Sequence, residues 1–408
     1  MDNTQTPLKR SLSLQLVIYY GLGNILGAGI YVLIGKVAGH AGFYTPLSFL
    51  IASLVATLTA FTFAELSARY PLSAGPSVYL QQGFNIVWLS LIVGLLVIMA
   101  GIVSAATIAI GFVGYVQILV DLPALLIILL LISILCSIAC WGITESVRTA
   151  ALFTFLEVFG LLLIVFVASP KAIEFSSHIS DLPSMSEPLT LQGIFVGAFL
   201  AFYAFIGFED MVNIAEEVKD PVSTMPKAIL IALAIATSIY FLVAFLCVSI
   251  VSPAELAQSD APLALVYERA TGNEPILISV IGMFAVVNGA LIQIIMASRM
   301  FYGLSRQGWL PELLGKVHPL TQTPIIATIF ASLLVLIMAL WLPIETLAKA
   351  TSFLLFIVFA MVNLSLWRIK YRESHHPKDI IKLPQWVPIA GAVTSLLFVS
   401  FQLIIELN

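Results

Sequence analysis

Long, continuously apolar stretches separated by short polar connections dominate the chain. Neither the one-faced stripe of a soluble helix nor the two-residue alternation of a half-buried strand organises it. A window of about 19 residues picks out runs long enough to cross a bilayer as helices. They fall at 14–35, 43–65, 85–113, 123–140, 147–168, 191–215, 226–251, 275–304, 324–342, 346–368 and 386–406. We number these eleven runs spans 1 to 11. Runs of this length exclude a membrane β-barrel, whose strands alternate over about 10 residues. The expected fold class is all-α: a polytopic membrane protein with about 11 transmembrane helices. Behind Lys9 and Arg10 the first run is long and lacks a small-residue cleavage pattern, so span 1 is expected to stay as an anchor.

Composition narrows the function classes. Hydrophobic residues make up 60% of the 408 and charged ones 10%, against roughly a quarter charged in a soluble domain. A globular enzyme and a nucleic-acid binder are thereby poor readings. The net charge of -4, with no charged tail, points to no polyanionic partner. Cys136, Cys140 and Cys247 lie in apolar runs and read as small core residues rather than a disulfide or metal framework. His375 and His376 are adjacent but have no other ligand type nearby. No metal and no cofactor are expected, and the bilayer itself is the expected surroundings.

The positive charges orient the spans. With a cytoplasmic N-terminus, the inner side carries Lys9, Arg10, Arg69, Arg148, Lys219, Lys227, Arg299, Arg306, Lys316, Arg368, Lys370, Arg372, Lys378 and Lys382. Only Lys36, Lys171, Arg269 and Lys349 fall outside, so 14 of the 18 Lys and Arg lie inside. A missed or spurious span would scramble this tally. An odd number of spans places Asn408 outside. The two longer outer loops, about 169–190 and 252–274, carry Glu174, Asp181 and Glu187 in one and Glu255, Asp260, Glu268 and Glu274 in the other. They read as solvated loops, the second with a short amphipathic turn from Pro262 to Arg269.

Two spans break the apolar pattern. Span 1 holds Gly21, Gly23, Asn24, Gly27, Ala28 and Gly29 near mid-membrane, and each glycine weakens a helix by about 1 kcal/mol. Two readings stand: close packing through Gly23-x-x-x-Gly27, or a broken helix whose freed N–H groups face a cavity. Span 6 contains Tyr203-Ala204-Phe205-Ile206-Gly207-Phe208-Glu209-Asp210, with a glycine and two carboxylates inside an apolar segment. It lies five spans after span 1 and so enters from the opposite side. Interrupted helices at corresponding positions of two inverted halves point to a secondary transporter with its site at the repeat interface.

The runs Gly23-Asn24-Ile25-Leu26-Gly27-Ala28-Gly29-Ile30, Ala204-Phe205-Ile206-Gly207-Phe208-Glu209 and Glu216-Glu217-Val218-Lys219-Asp220-Pro221 resemble the amino acid-polyamine-organocation permeases. Similar family signatures are Ser298-Arg299-Met300-Phe301-Tyr302-Gly303-Leu304 and Tyr70-Pro71-Leu72-Ser73-Ala74-Gly75-Pro76, where Pro76 replaces a usual glycine. The resemblance extends from span 1 to the end of span 8. It implies the leucine-transporter type fold, a five-plus-five inverted repeat with broken helices 1 and 6. Residues 1–168 would form the first repeat, 190–368 the second, and 386–406 an extra helix. Many members have twelve helices, one more than here.

The same resemblance implies the site. The N-terminal end of the second half of span 1, at Gly27, Ala28 and Gly29, would offer free N–H groups to a substrate carboxylate. The substrate ammonium would meet carbonyls around Tyr203, Phe205 and Ile206 at the Gly207 break, with Asn24 close by. Tyr203 matches an aromatic gate position; the alternative is a packed aromatic. Glu209 stands at a family acidic position, as a gating or proton-sensing group or as a helix cap. Asp210 points about 100° away from it on a helix and faces polar neighbours on the blander reading. Glu157 occupies a place where many members carry Lys, with Asn288 expected opposite. A carboxylate in a water-poor site can pass between neutral and charged forms, so Glu157 reads as a proton-coupling residue, with structural glue and a cation ligand as alternatives.

The expected function is a secondary amino-acid transporter working by alternating access in the cell membrane, with a coupling proton rather than sodium. The alternative within transporters is a cationic amino acid or polyamine exchanger, for which Glu209 or Asp210 would face the substrate side chain. A channel would need a continuous polar path, and a membrane enzyme a nucleophile, metal cluster or paired acids at a water interface. Ser104, Thr351 and Ser352 are candidates for contact with the substrate side chain. The orientation is checked by cysteine accessibility: a cysteine placed in 252–274 should label from outside, and one in 369–385 only after permeabilisation. Reversed labelling would remove the orientation and the span count together.

Overall fold

A computed structural model of the chain describes residues 12–72, 75–141, 146–172, 187–306, 308–318, 321, 323–373 and 380–407, without the side chains of residues 28, 141, 146–152, 172, 216, 217, 406 and 407. Lys9, Arg10, Glu174, Asp181, His375, His376 and Lys378, and the side chains of Ala28 and Arg148, therefore lie outside the described residues.

Among the described residues the regular structure is helical. Eight stretches are long and apolar enough to cross a membrane, and the first of them, Leu14–Arg69, holds both span 1 and span 2. Gly42 reverses the chain between the two with φ 58, a left-handed conformation that glycine adopts without strain. Two shorter apolar helices, Ala124–Cys140 and Ile325–Trp341, account for spans 4 and 9. At 1.5 Å per residue each is about 25 Å long. All eleven expected spans are thus present as helices. Their starts follow helix-capping chemistry: Ser13 caps Leu14–Leu26 by accepting from Leu16 N, and proline stands in the first turn of Thr45–Arg69, Pro188–Ala201 and Pro221–Ile250.

Both interruptions are physical breaks. Span 1 divides at Gly27 into Leu14–Leu26 and Ala28–Ala41, because Gly27 takes φ -50 and ψ -103. Span 6 runs as an α-helix over Pro188–Ala201, tightens to a 3-10 turn at Phe202–Phe205, and opens at Ile206 and Gly207. Beyond the break it is a 3-10 helix, Asp210–Glu217, rather than the α-helix that the apolar pattern predicts. The run Asp210-Met211-Val212-Asn213-Ile214-Ala215 is far more polar than the half before it. The outer loop 252–274 is more ordered than expected, with helices at Pro253–Gln258 and Pro262–Thr271. The second of these buries Leu263, Ala264 and Val266.

The broadest helix contacts are those of span 3 (Val87–Leu119) with span 8 (Ile276–Arg306) and of span 2 with span 7 (Pro221–Ile250). Connections expected on the same side of the bilayer meet one another. On the face expected to be outer, Lys36 Nζ donates to the Ala257 carbonyl at 2.8 Å, His40 Nε2 lies 2.9 Å from Glu345 Oε1, and Arg269 pairs with Glu255. On the opposite face, expected to be inner, Leu12 bridges Val218, with Lys219 N donating to the Leu12 carbonyl at 2.9 Å.

The strongest inner-face feature is a buried ion cluster. Glu65 is fully buried and receives Arg69 Nη2 at 2.7 Å and Lys370 Nζ at 2.8 Å. Arg69 also pairs with Glu373 at 2.5 Å, and the Leu383 N–H donates to Glu65 at 3.1 Å. The cluster ties span 2 to the inner end of span 10 (Ile344–Arg372) and to the connection leading into span 11 (Trp386–Leu407). Removing one member of a buried pair strands the other charge, at about 3–5 kcal/mol, whereas an exposed pair contributes about 0–1 kcal/mol. Glu65→Gln is expected to lower the stability of the purified protein by several kcal/mol in denaturant titration, and Glu255→Gln, at the exposed Arg269 pair, by less than about 1 kcal/mol. Equal losses would mean that the cluster does not hold the inner ends together.

Candidate substrate and coupling site

The two breaks face each other in the interior, and side-chain bonds join them. Asn24 Nδ2, at the end of the first half of span 1, donates to the Gly207 carbonyl at 2.9 Å and to Asp210 Oδ2 at 3.1 Å. Gly207 has φ 126, a region that L side chains avoid. A Cβ there would also lie 2.7 Å from the Asn24 backbone. On the other half of span 1, a Cβ on Gly29 would lie 2.2 Å from Ala204 Cα, so the glycine lets spans 1 and 6 touch backbone to backbone. Gly27 is different: its nearest neighbours, the Ala285 and Gly23 carbonyls, stand at 3.4 Å, an ordinary contact. The helix that begins at Ala28 has no side-chain cap on its first turn, which leaves those N–H groups available to an anion.

The carbonyls freed by the breaks have a partner that the apolar pattern does not reveal. The Tyr240 hydroxyl, on span 7, lies 2.5 Å from the Ile25 carbonyl and 2.9 Å from the Ala204 carbonyl, bridging both broken helices. Its ring packs on Phe205 and Phe49 at 5.2 and 5.8 Å, so the Phe205 side chain belongs to an aromatic core. The Tyr203 carbonyl accepts from Ile206 N at 3.2 Å within the turn. The Tyr203 hydroxyl sits 2.9 Å from Ser104 Oγ and 3.0 Å from the Ser104 carbonyl, joining span 6 to span 3 just outside the break.

Three carboxyl groups lie in this region, each almost wholly buried: Glu157, Glu209 and Asp210. Glu157 Oε1 receives Asn288 Nδ2 at 3.1 Å, as expected, while Glu157 Oε2 is buried without a hydrogen-bond partner. The Glu157 carbonyl also accepts from the Tyr31 hydroxyl at 2.8 Å. Glu209 Oε2 accepts from Gly207 N at 2.9 Å, so this acid caps the break. Asp210 does more than meet polar neighbours in passing: its Oδ2 accepts from both Asn24 and Gln293, each at 3.1 Å. Among the described residues no Lys or Arg forms an ion pair with any of the three. No group of His, Cys, Asp and Glu with the makings of a metal site occurs among the described residues either. Of the other candidates, Thr351 bonds back to the Leu347 carbonyl at 3.0 Å and Ser352 Oγ is buried without a partner. Gln293 was open to detection, since an amide in an apolar span is itself a signal; Tyr240 carries none.

Helices broken opposite one another inside the bilayer can leave backbone groups free only where protein or a bound solute meets them. The class this fold defines is a polytopic membrane protein with two interrupted helices. A family model described as "Amino acid permease" matches residues 12–408, and the chain belongs to that family, within the amino acid-polyamine-organocation superfamily. The "Cationic amino acid transporter 3, mitochondrial" of Arabidopsis thaliana is 28% identical over 92% of this chain and 64% of its own length. The "Cationic amino acid transporter 4, vacuolar" of the same plant is 30% identical over 89% and 64%. The "Branched-chain amino acid permease BcaP" of Bacillus subtilis (strain 168) is 27% identical over 91% and 83%. The chain thus spans less than two thirds of the plant relatives' length.

The contrast between the two glycines is testable. Gly29→Leu should abolish amino-acid binding, read as a ligand-induced rise in melting temperature, while the protein still inserts. Gly27→Ala, whose Cβ meets nothing closer than 3.4 Å, should bind within about twofold of wild type. A Gly29→Leu protein that binds normally would place the site elsewhere.

Proposed function

We propose that this chain is a secondary amino-acid transporter of the cell membrane that works by alternating access and couples uptake to protons through Glu157. The observation that carries the coupling is the Glu157 carboxyl: it is fully buried, its Oε1 is held by Asn288 at 3.1 Å, and its Oε2 has no partner. An ionised carboxylate in that setting is costly, and a proton removes the cost. Asn288 also comes from span 8, so the bond crosses between the two expected repeats.

In this reading spans 1–5 and 6–10 are the inverted repeats and span 11 is an addition. The N-terminus is cytoplasmic and the C-terminus outside. The substrate carboxylate docks on the uncapped N–H groups at Gly27, Ala28 and Gly29. The ammonium turns to the Phe205 and Ile206 carbonyls and to Asn24, with Tyr203 and its Ser104 bond closing the outer side. Glu209 holds the break and senses its state. The names of the relatives support an amino acid as cargo and spread across cationic and branched-chain classes. A further relative, at 27% identity, is named a methylthioribose transporter, so the particular cargo has to come from this chain's own side chains. A proton is favoured over sodium as the coupling ion because the Glu157 carboxyl meets a single amide and no further oxygen ligand among the described residues, so a proton is enough to complete it.

Glu157→Gln keeps the shape and most hydrogen bonds of the protonated acid while removing titration. In proteoliposomes this variant should retain substrate binding and exchange but lose uphill uptake driven by an inward proton gradient. Wild-type uptake should rise as external pH falls and proceed without sodium. Accumulation that survives in Glu157→Gln, or a strict sodium requirement, would overturn the proton role.

A further inference from the structure

A cavity of about 620 Å³ opens on the face opposite the Glu65 cluster, between the second half of span 1, span 3 and the neighbouring ends of spans 4 and 9. Its deeper wall is apolar and buried, with Val32, Val113 and Ile128. Polar side chains gather toward the helix ends. Gln117 stands just before the end of span 3, Lys36 in the later turns of Ala28–Ala41, and Asp260 in the link between Pro253–Gln258 and Pro262–Thr271. An apolar wall leaves the polar groups of a fully hydrated solute without partners, whereas an amphiphile matches both parts.

The cavity also borders the bilayer. Leu125, near the start of span 4, and Trp341, at the end of span 9, are exposed at its edge. These two spans are the short apolar helices, each about 25 Å long against roughly 30 Å of hydrocarbon. A span shorter than the hydrocarbon core draws lipid toward its end. Tryptophan at such an end sits at the level of the head groups.

Charge says which head group fits. Lys36 Nζ donates to the Ala257 carbonyl at 2.8 Å, which leaves two of its N–H bonds free to serve another acceptor. Arg269 and Lys349, on the same face, pair with Glu255 and Glu345, but Lys36 has no acid partner among the described residues. Asp260 likewise has no basic partner among them. Its backbone is fixed on span 3, where a Cβ on Gly114 would lie 2.3 Å from the Asp260 carbonyl oxygen. A cation and an acid that line one cavity without meeting complement a ligand that carries both charges.

We propose that this cavity is a binding site for a zwitterionic phospholipid whose head group ends in a primary ammonium, a phosphatidylethanolamine of the surrounding bilayer. Lys36 takes the phosphate, Asp260 the ammonium, and the wall of Val32, Val113 and Ile128 an acyl chain. A choline head group has no N–H to donate to Asp260, and a glycerol head group has no cation for it. The site goes beyond the transport reading and does not depend on it. A lipid bound there ties the second half of span 1 to span 3 and to the 252–274 connection.

The test titrates purified full-length protein in detergent with phosphatidylethanolamine, phosphatidylcholine and phosphatidylglycerol of identical chains. Apparent affinities come from the rise in melting temperature, since a ligand of the folded state stabilises it by mass action. Wild type should favour the ethanolamine lipid over each of the others by about fivefold or more, the effect of losing one net hydrogen bond. Asp260→Asn should bring that lipid close to the choline lipid and leave choline-lipid binding within about twofold, because only the ammonium contact is removed. Lys36→Gln should weaken all three, through the shared phosphate. Should Lys36→Gln fail to insert, having also lost its bond to Ala257, Asp260→Asn decides alone. Equal affinities in wild type, or a preference that survives Asp260→Asn, would overturn the site. So would O-phosphoethanolamine without chains binding as tightly as the lipid, since the cavity would then hold a solute.

Discussion

Backbone polar groups inside a bilayer must find partners within the protein, and the centre of this molecule is arranged around that constraint. Two helices stop halfway across, at Gly27 and at Ile206–Gly207. Each stop frees carbonyls on one side and N–H groups on the other. Tyr240 meets a carbonyl from each break, Asn24 meets the Gly207 carbonyl, and Glu209 meets the Gly207 N–H. The partners are side chains from spans 1, 6 and 7, so each break is stabilised by the other's neighbourhood. The first turn after Gly27 has no side-chain cap, and it is the place proposed above for the substrate carboxylate.

Charge follows from the same geometry. Three acids lie near the breaks without an ion pair among the described residues, and neutral amides hold two of them. The inner-face cluster shows what this chain does when it compensates buried charge internally: Glu65 takes both Arg69 and Lys370. The difference lies in where positive residues can be placed. Arg69 and Lys370 stand at helix ends, where their stems can pass inward while the charges remain near the membrane surface. Glu157 and Asp210 are met instead by the neutral amides of Asn288, Asn24 and Gln293.

Much of this was legible in the sequence, for reasons that differ from residue to residue. Glycines and carboxylates are rare in apolar runs, so Gly21 to Gly29 and Gly207 to Asp210 marked the breaks. Glu157 stood out for the same reason. The pairing of Glu157 with Asn288 was carried by family resemblance and not by pattern, because residues 131 apart share no local periodicity. Tyr240 and Lys370 were invisible: their roles arise only when segments 215 and 305 positions away fold against them. Gly27 and Gly29 are indistinguishable as letters, yet one faces open contacts and the other the Ala204 backbone.

The ties at the inner face bear on which parts can move together. The first half of span 1 and the second half of span 6 are joined twice. At the breaks Asn24 holds Gly207 and Asp210, and at the membrane edge Leu12 bridges Val218 with Lys219 N on the Leu12 carbonyl. A displacement of one half that kept these bonds would carry the other with it. Span 10 is fastened differently at its two ends. Its outer end meets span 1 through His40 and Glu345, whose side chains are 35% and 34% exposed, so that water weakens the pair. Its inner end is held by the fully buried Glu65 and by Lys370, 2% exposed. Parting the outer contact costs little, while parting the inner one strands buried charge. In the proposed alternating-access cycle, an opening at the Glu65 face would meet least resistance if the joined halves of spans 1 and 6 swing as a unit while spans 2 and 10 stay clasped. Such a swing would carry Asn24, Gly207 and Asp210 together and leave their mutual hydrogen bonds intact.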